Sequence, residues 1–248
     1  MAEGVYPNGL PHPPPALRVR MAIELAVILA LTGIFLYVTT TLKMRSTPLY
    51  FGMALIGFAL IGMNRQETLD KVWGPPDYPE FDRLRRAAVN VSLFTIPPML
   101  LFLLWGALGR YYGWNLFNGT LDFTTATPMF SKHFFIALIV YIPWAMLQQT
   151  LFQFYLLGRF RALMPFASPI FLSMVNGILY GLVHLGPSWP EVGVTLVTIL
   201  GGIFWSYSYY RDRYVLPIAV SHALLGSTFY YWIYGRDLVA EMAKNLGT

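Results

Sequence analysis

The chain contains no cysteine. That excludes disulfides, thiolate nucleophiles, thiolate metal ligands and a lipidated C-terminal cysteine. Charge is scarce as well: only 12% of the 248 residues are Asp, Glu, Lys or Arg, too few to cover the surface of a soluble globule. A basic tract is missing too. The 17 Lys and Arg against 12 Asp and Glu are scattered through short connections, so the excess of positive charge reads as membrane orientation and not as a nucleic-acid surface. The first twenty residues, MAEGVYPNGLPHPPPALRVR, lack the apolar region of a cleavable signal, so the chain is expected to insert through its first span.

Apolar residues fill the space that charge leaves. The hydrophobic fraction is 56%, the aromatic fraction 17% and the mean hydropathy +0.52. At about 20 apolar residues per crossing, the length permits about seven to eight spans and no sizeable soluble domain. The predicted fold is all-α, a polytopic transmembrane helical domain, with spans near residues 21–42, 48–63, 87–108, 134–157, 166–185, 192–210 and 214–234. Around them we expect a disordered cytoplasmic tail (1–20), N-terminal transmembrane helices and loops (21–133), a core (134–234) and a C-terminal tail (235–248). With seven spans, eleven of the 17 basic residues fall on the side of the N-terminus, which the positive-inside rule places in the cytoplasm. The expected location is a multi-pass bacterial inner-membrane protein in contact with membrane lipids. The mixed-charge stretch 75–87 reads either as a surface helix or as a solvated loop, and the aromatics of 109–133 read as an interfacial belt around the sequon Asn118-Gly119-Thr120.

Polar groups inside such spans cost several kcal/mol unless paired, so they mark candidate sites. Glu24 is the one carboxylate within the predicted spans. It follows Arg20 by four residues, a spacing that suits an interfacial ion pair. The others are Gln148, Gln149 and Gln153, then Asn176, Tyr180 and His184, then Ser221 and His222. Gln149 and Gln153 share a helix face, as do Tyr180 and His184. A Ser221–His222 nucleophile pair fails, because adjacent helical residues point about 100° apart. A haem held by His184 and His222 has the right residue type but no supporting spacing, and two histidines without nearby carboxylates are thin ligands for zinc. No cofactor and no metal is implied.

Three stretches on successive helices, QQTLFQ at 148–153, YGLVH at 180–184 and HALLG at 222–226, resemble the CPBP family of membrane proteases, which includes the type II CAAX prenyl endopeptidases and bacteriocin-processing proteins. The family pattern is EExxxR, FxxxH and HxxxN. The glycine-rich helix between the second and third parts also looks like the family, and the resemblance spans 134–234. It implies an intramembrane endopeptidase in which the first glutamate activates water with a histidine's help, the second pairs with the arginine, and the last His/Asn pair holds the oxyanion. Carried over, these places fall on Gln148, His184, His222 and Gly226, with Gln149 and Gln153 at the ion-pair positions.

The resemblance thus implies His184, His222 and Gln148 as catalytic residues, with Gln149, Gln153, Tyr180 and Asn176 as binding residues. Gln cannot serve as a base, a role typically worth about 10² to 10⁴ in rate, so water activation falls to the histidines, with Glu191 in a proline-rich turn as a further candidate. Two readings follow. One is a CAAX-protease-like endopeptidase with a degenerate site, acting on a prenylated or transmembrane peptide. The other is a catalytically silent membrane protein that binds a lipid, a prenyl group or a partner helix, as a subunit of a membrane complex.

Overall fold

The computed structural model describes residues 12–42, 47–74, 78–116, 121–185, 191–240 and 243. Among them the helices are α1 (Pro15–Leu36), α2 (Thr47–Thr68), α3 (Glu80–Tyr112), α4 (Lys132–Gln149), α5 (Leu157–Leu163), α6 (Pro169–Leu182), α7 (Glu191–Asp212) and α8 (Val215–Thr228). Widened π-helical turns extend four of these rods, at Tyr37–Thr41, Leu69–Trp73, Thr150–Leu156 and Phe229–Ile233. The third joins α4 to α5, so the described helices form seven rods, one for each predicted span. Among the described residues the only strands are the two-residue rungs β1 (Asn115–Leu116) and β2 (Leu121–Asp122), which pair antiparallel. The sequon between them lies outside the described residues.

Among the described residues four helical stretches are long and apolar enough to cross a membrane: Pro15–Leu36, Glu80–Tyr112, Lys132–Leu163 and Val192–Asp212. α1 illustrates why. Its buried residues Met21, Leu25, Ile28, Thr32 and Phe35 recur every three or four positions on one stripe. Yet the opposite face is apolar too, with Ile23, Val27 and Ile34 exposed. A helix hydrophobic all round belongs in lipid. The protein is an integral membrane protein of all-α class.

Several boundaries differ from the sequence expectation. α1 begins at Pro15, where the proline's fixed φ suits the first helical turn, so residues 15–20 are helical and not tail. α3 runs unbroken from Glu80, so residues 80–87 of the charged stretch are the first turns of the third span's own helix, while 75–77 lie outside the described residues. The fourth rod continues to Leu163, which puts Arg159 and Arg161 inside a helix and buried, where a surface connection was expected. Glu191 opens α7, and the preceding residues 186–190 lie outside the described set.

The chain divides into two compact units, one made of 1–83 and 149–215, the other of 84–148 and 216–248. Each draws on both halves of the sequence. In the first unit the closest packing is α6 on α7. A Cβ at Gly177 would overlap the backbone of Ile203, and one at Gly181 the side chain of Ile199, so only glycine lets the two backbones approach. In the second unit, Phe134, Ala137, Tyr231 and Trp232 form a core. In the same unit Arg110 donates to the carbonyls of Gly106 and Thr127 and to those of Tyr231 and Trp232 in the π-helical turn.

Candidate functional site

The first unit holds a buried cluster of neutral polar side chains from three helical rods. Gln149 ends α4 and Gln153 sits in the π-helical turn that follows. Gln153 Nε2 donates to Gln149 Oε1 at 3.0 Å, and Gln149 Nε2 donates to Tyr180 Oη at 3.3 Å. From α6, Asn176 Nδ2 donates to Gln153 Oε1 at 3.0 Å and to Ser206 Oγ of α7 at 2.9 Å. Ser206 Oγ lies 2.7 Å from Gln153 Oε1 and is also within reach of the Gly202 carbonyl. Gln149, Gln153, Asn176, Tyr180 and Ser206 are all 0% exposed. The amides therefore serve one another, which is how carboxamides survive out of water. Asn176 Oδ1 alone has no partner among the described residues.

α6 starts at Pro169, capped by Ser168 Oγ accepting from the Phe171 N–H, and ends at Leu182. His184 consequently lies in the turn beyond the helix, its N–H donating to the Gly181 carbonyl. Its Nδ1 stands 3.0 Å from the Tyr180 carbonyl. A carbonyl only accepts, so Nδ1 carries the hydrogen and Nε2 keeps the lone pair. The ring lies 5.4 Å from that of Tyr180. The structure thus places Gln149, Gln153, Asn176, Tyr180 and His184 in one unit together with Ser206, which the sequence reading did not name. The signal was there: a serine four residues after Gly202, on the helix that the small residues of α6 must face.

Gln148 and His222 belong to the second unit. There α4 and α8 meet through Ala145, Ala219 and Ala223. Tyr141 Oη lies 3.5 Å from His222 Nε2, with the rings edge to face. Ser221, beside His222 in sequence, shares a 2.6 Å hydrogen bond with Thr95 of α3 and so is tied elsewhere. Gln148 falls seven residues after Tyr141, on the same stripe of α4. Its Oε1 is buried without a hydrogen-bond partner among the described residues.

A second buried cluster of the first unit is ionic. Arg159, 0% exposed, donates from Nε to Glu24 Oε2 at 2.8 Å and from Nη1 to Thr68 Oγ1 at 2.8 Å. Its guanidinium lies 4.1 Å from the centre of the Tyr155 ring, whose hydroxyl also donates to Glu24. Arg20 contacts Glu24 at 3.2 Å, as the spacing predicted, and pairs with Glu67 as well. Sequence reading assigned Arg159 to a surface connection and so missed Glu24's main partner. Among the described residues no group of three or more His, Asp or Glu stands close enough to hold a metal ion.

No curated protein and no solved structure matches the chain. Residues 130–228 match the family model described as Type II CAAX prenyl endopeptidase Rce1-like, a range that takes in QQTLFQ, YGLVH and HALLG together with the buried amides. This segment is therefore similar to the Rce1-like members of the CPBP family, and the family-level class it supports is that of a CAAX-protease-like membrane endopeptidase.

Proposed function

We propose that the chain is a CAAX-protease-like membrane endopeptidase with a degenerate active centre, in which the buried amide cluster has lost its acid and base chemistry and keeps a structural one. The observation that carries this reading is the Gln149–Gln153 pair. Both amides are fully buried, joined to each other and held by Tyr180, Asn176 and Ser206. A group whose polar atoms are this engaged neither takes a proton in the working pH range nor releases one.

The base that remains in this unit is His184. With Nδ1–H fixed on the Tyr180 carbonyl, the Nε2 lone pair is the ring's remaining acceptor and the group that would polarise a water. His222 is the second imidazole of the motif, and Gln148 stands at the place of the missing glutamate. Loss of a carboxylate base predicts cleavage slower by about 10² to 10⁴ than the same fold with a working acid. The substrate class is a peptide presented at the membrane, prenylated or transmembrane.

The test is cleavage of prenylated and unprenylated peptides by the purified protein beside His184→Ala and Gln148→Glu variants. Slow cleavage that disappears in His184→Ala, with an unchanged melting temperature, supports the reading. Cleavage unaffected by His184→Ala removes that residue from the chemistry. A second reading, a silent protein that binds a lipid, prenyl group or partner helix, is favoured by the unpartnered Gln148 Oε1, an acceptor still open to a donor group. It predicts a co-purifying ligand whose retention falls when Gln148 and Gln149 become leucine.

A further inference from the structure

The end of α6 hands a backbone carbonyl to an imidazole. In a regular α-helix the N–H of residue 184 would donate to the carbonyl of residue 180. Here the last turn tightens, and the His184 N–H donates to the Gly181 carbonyl at 2.9 Å. The Tyr180 carbonyl accepts from the ring of His184 instead, 3.0 Å from Nδ1.

That acceptor is held firmly. The Tyr180 side chain is buried, its hydroxyl accepts from Gln149 Nε2, and its ring centre lies 4.7 Å from that of Phe152 and 5.6 Å from that of Trp205. The donor is less enclosed: His184 stands beyond the helix and is partly exposed. A tie on it comes from α7. Thr195, 4% exposed, donates from Oγ1 to the His184 carbonyl at 3.1 Å. That carbonyl lies past the last helical turn, where α6 has no further N–H to offer it. Thr198, one turn on, donates within α7 to the Val194 carbonyl, as helical threonines often do, whereas the Thr195 hydroxyl reaches across to the neighbouring segment.

We propose that Thr195 is a positioning residue for His184. Its hydroxyl fixes the turn, the fixed turn keeps Nδ1–H on the Tyr180 carbonyl, and the lone pair is thereby confined to Nε2. The hydrogen bond made by one ring nitrogen decides which tautomer is present. In water a neutral imidazole favours hydrogen on Nε2, so the arrangement at His184 is one that the protein has to impose. His184 takes its role as base from the endopeptidase reading, and the way it is held follows from the geometry alone. Thr195 acts through the His184 backbone and takes no part in proton transfer.

The experiment is ¹⁵N NMR of the full chain in detergent micelles, labelled at histidine, at a pH of about 8 where imidazole is neutral. His184→Ala identifies the His184 signals among those of the 4 histidines. The nitrogen with the lone pair resonates well downfield of the one with hydrogen, and Nε2 is recognised by its strong coupling to both ring C–H protons. The native protein is expected to show the downfield nitrogen as Nε2. Thr195→Val keeps the shape of the side chain and removes the hydroxyl. It should move the tautomer ratio toward hydrogen on Nε2 by about 2- to 10-fold, the range expected for one hydrogen bond. Thr195→Ser returns the hydroxyl and should return the native pattern. Where the native protein cleaves peptide, Thr195→Val should lower kcat and leave KM unchanged.

A Thr195→Val protein with the native tautomer overturns the proposal, as does a native protein in which the hydrogen sits on Nε2. The α6–α7 seam is also held by the close approach of Gly177 to Ile203 and of Gly181 to Ile199, so the helix pair should survive the loss of one hydroxyl. Should Thr195→Val not fold, Thr195→Ala is read in the same way, and loss of folded protein in both makes Thr195 a structural residue and overturns the assignment. Absence of cleavage by the native protein counts against the endopeptidase reading alone, since the histidine signals report how the ring is held whether or not a peptide is cut.

Discussion

Two buried polar clusters of the same unit make different choices. Around Glu24 and Arg159 the protein keeps full charges, with a guanidinium 0% exposed and its carboxylate partner 2.8 Å away. Around Gln149 and Gln153 every group is neutral. Burial in a membrane domain therefore does not by itself forbid charge in this fold. The neutrality of the amide cluster belongs to that site's chemistry, and a carboxylate–guanidinium pair replaced at both ends by amides leaves no stranded charge behind.

The comparison breaks most sharply at Glu24. Glu24→Ala leaves Arg159 charged, buried and short of its main acceptor, with Nη2 already unpartnered among the described residues. We expect a loss of about 3 to 5 kcal/mol, measured by unfolding in detergent. Replacing both members, Glu24→Leu with Arg159→Met, should return most of that loss, because a well-packed apolar pair removes both desolvation penalties. A double variant as unstable as the single one would show that Thr68 and Tyr155 depend on the charges.

The neutral cluster should respond less to truncation. Gln153→Leu removes the acceptor shared by Asn176 and Ser206 and the donor to Gln149, and should cost about 2 to 3 kcal/mol through the orphaned groups. Installing charge sharpens the point. Gln153→Arg alone buries an unpaired cation and should destabilise more than Gln153→Leu, whereas Gln149→Glu with Gln153→Arg should recover at least 1 kcal/mol relative to the sum of the single changes, read as a double-mutant cycle. No coupling would mean that the two sites no longer accommodate an ion pair.

A partly exposed carboxylate gives the smallest effect. Burial raises the Asp237 pKa, but the Ala240 N–H, His133 and the Tyr231 hydroxyl outweigh it and hold the carboxyl below its ordinary value. A depressed folded-state pKa gives stability that is complete above the unfolded value, about 3.9, and is lost as pH falls through the folded one. Asp237→Asn should therefore flatten the acid side of the stability profile slightly and leave neutral pH nearly unchanged, since solvent screens the group.

The seven rods were legible in the sequence because long apolar runs leave few alternatives. Their ends were less so: Arg159 and Arg161 looked like loop residues because a charge normally stops a span, and nothing local announces that Glu24, more than a hundred residues earlier, supplies the partner. The amide cluster was half legible. Gln149 with Gln153, and Tyr180 with His184, follow from helical spacing, but Ser206 required knowing that α7 lies on the glycine face of α6.

The π-helical turn at Thr150–Leu156 has a consequence for how the fourth rod tolerates change. A turn that holds more residues than an α-helical one acts as a phase shift between the residues before it and those after it. Counting 100° per residue from Gln149 to Arg159 across that turn therefore gives the wrong angle, and the two ends of the rod keep separate registers. Forcing Thr150–Leu156 into regular α-helical winding without removing a residue would turn Arg159 away from Glu24 and leave every side chain of the rod chemically intact. In this protein the length of that segment is as much a part of the site as the identity of its residues.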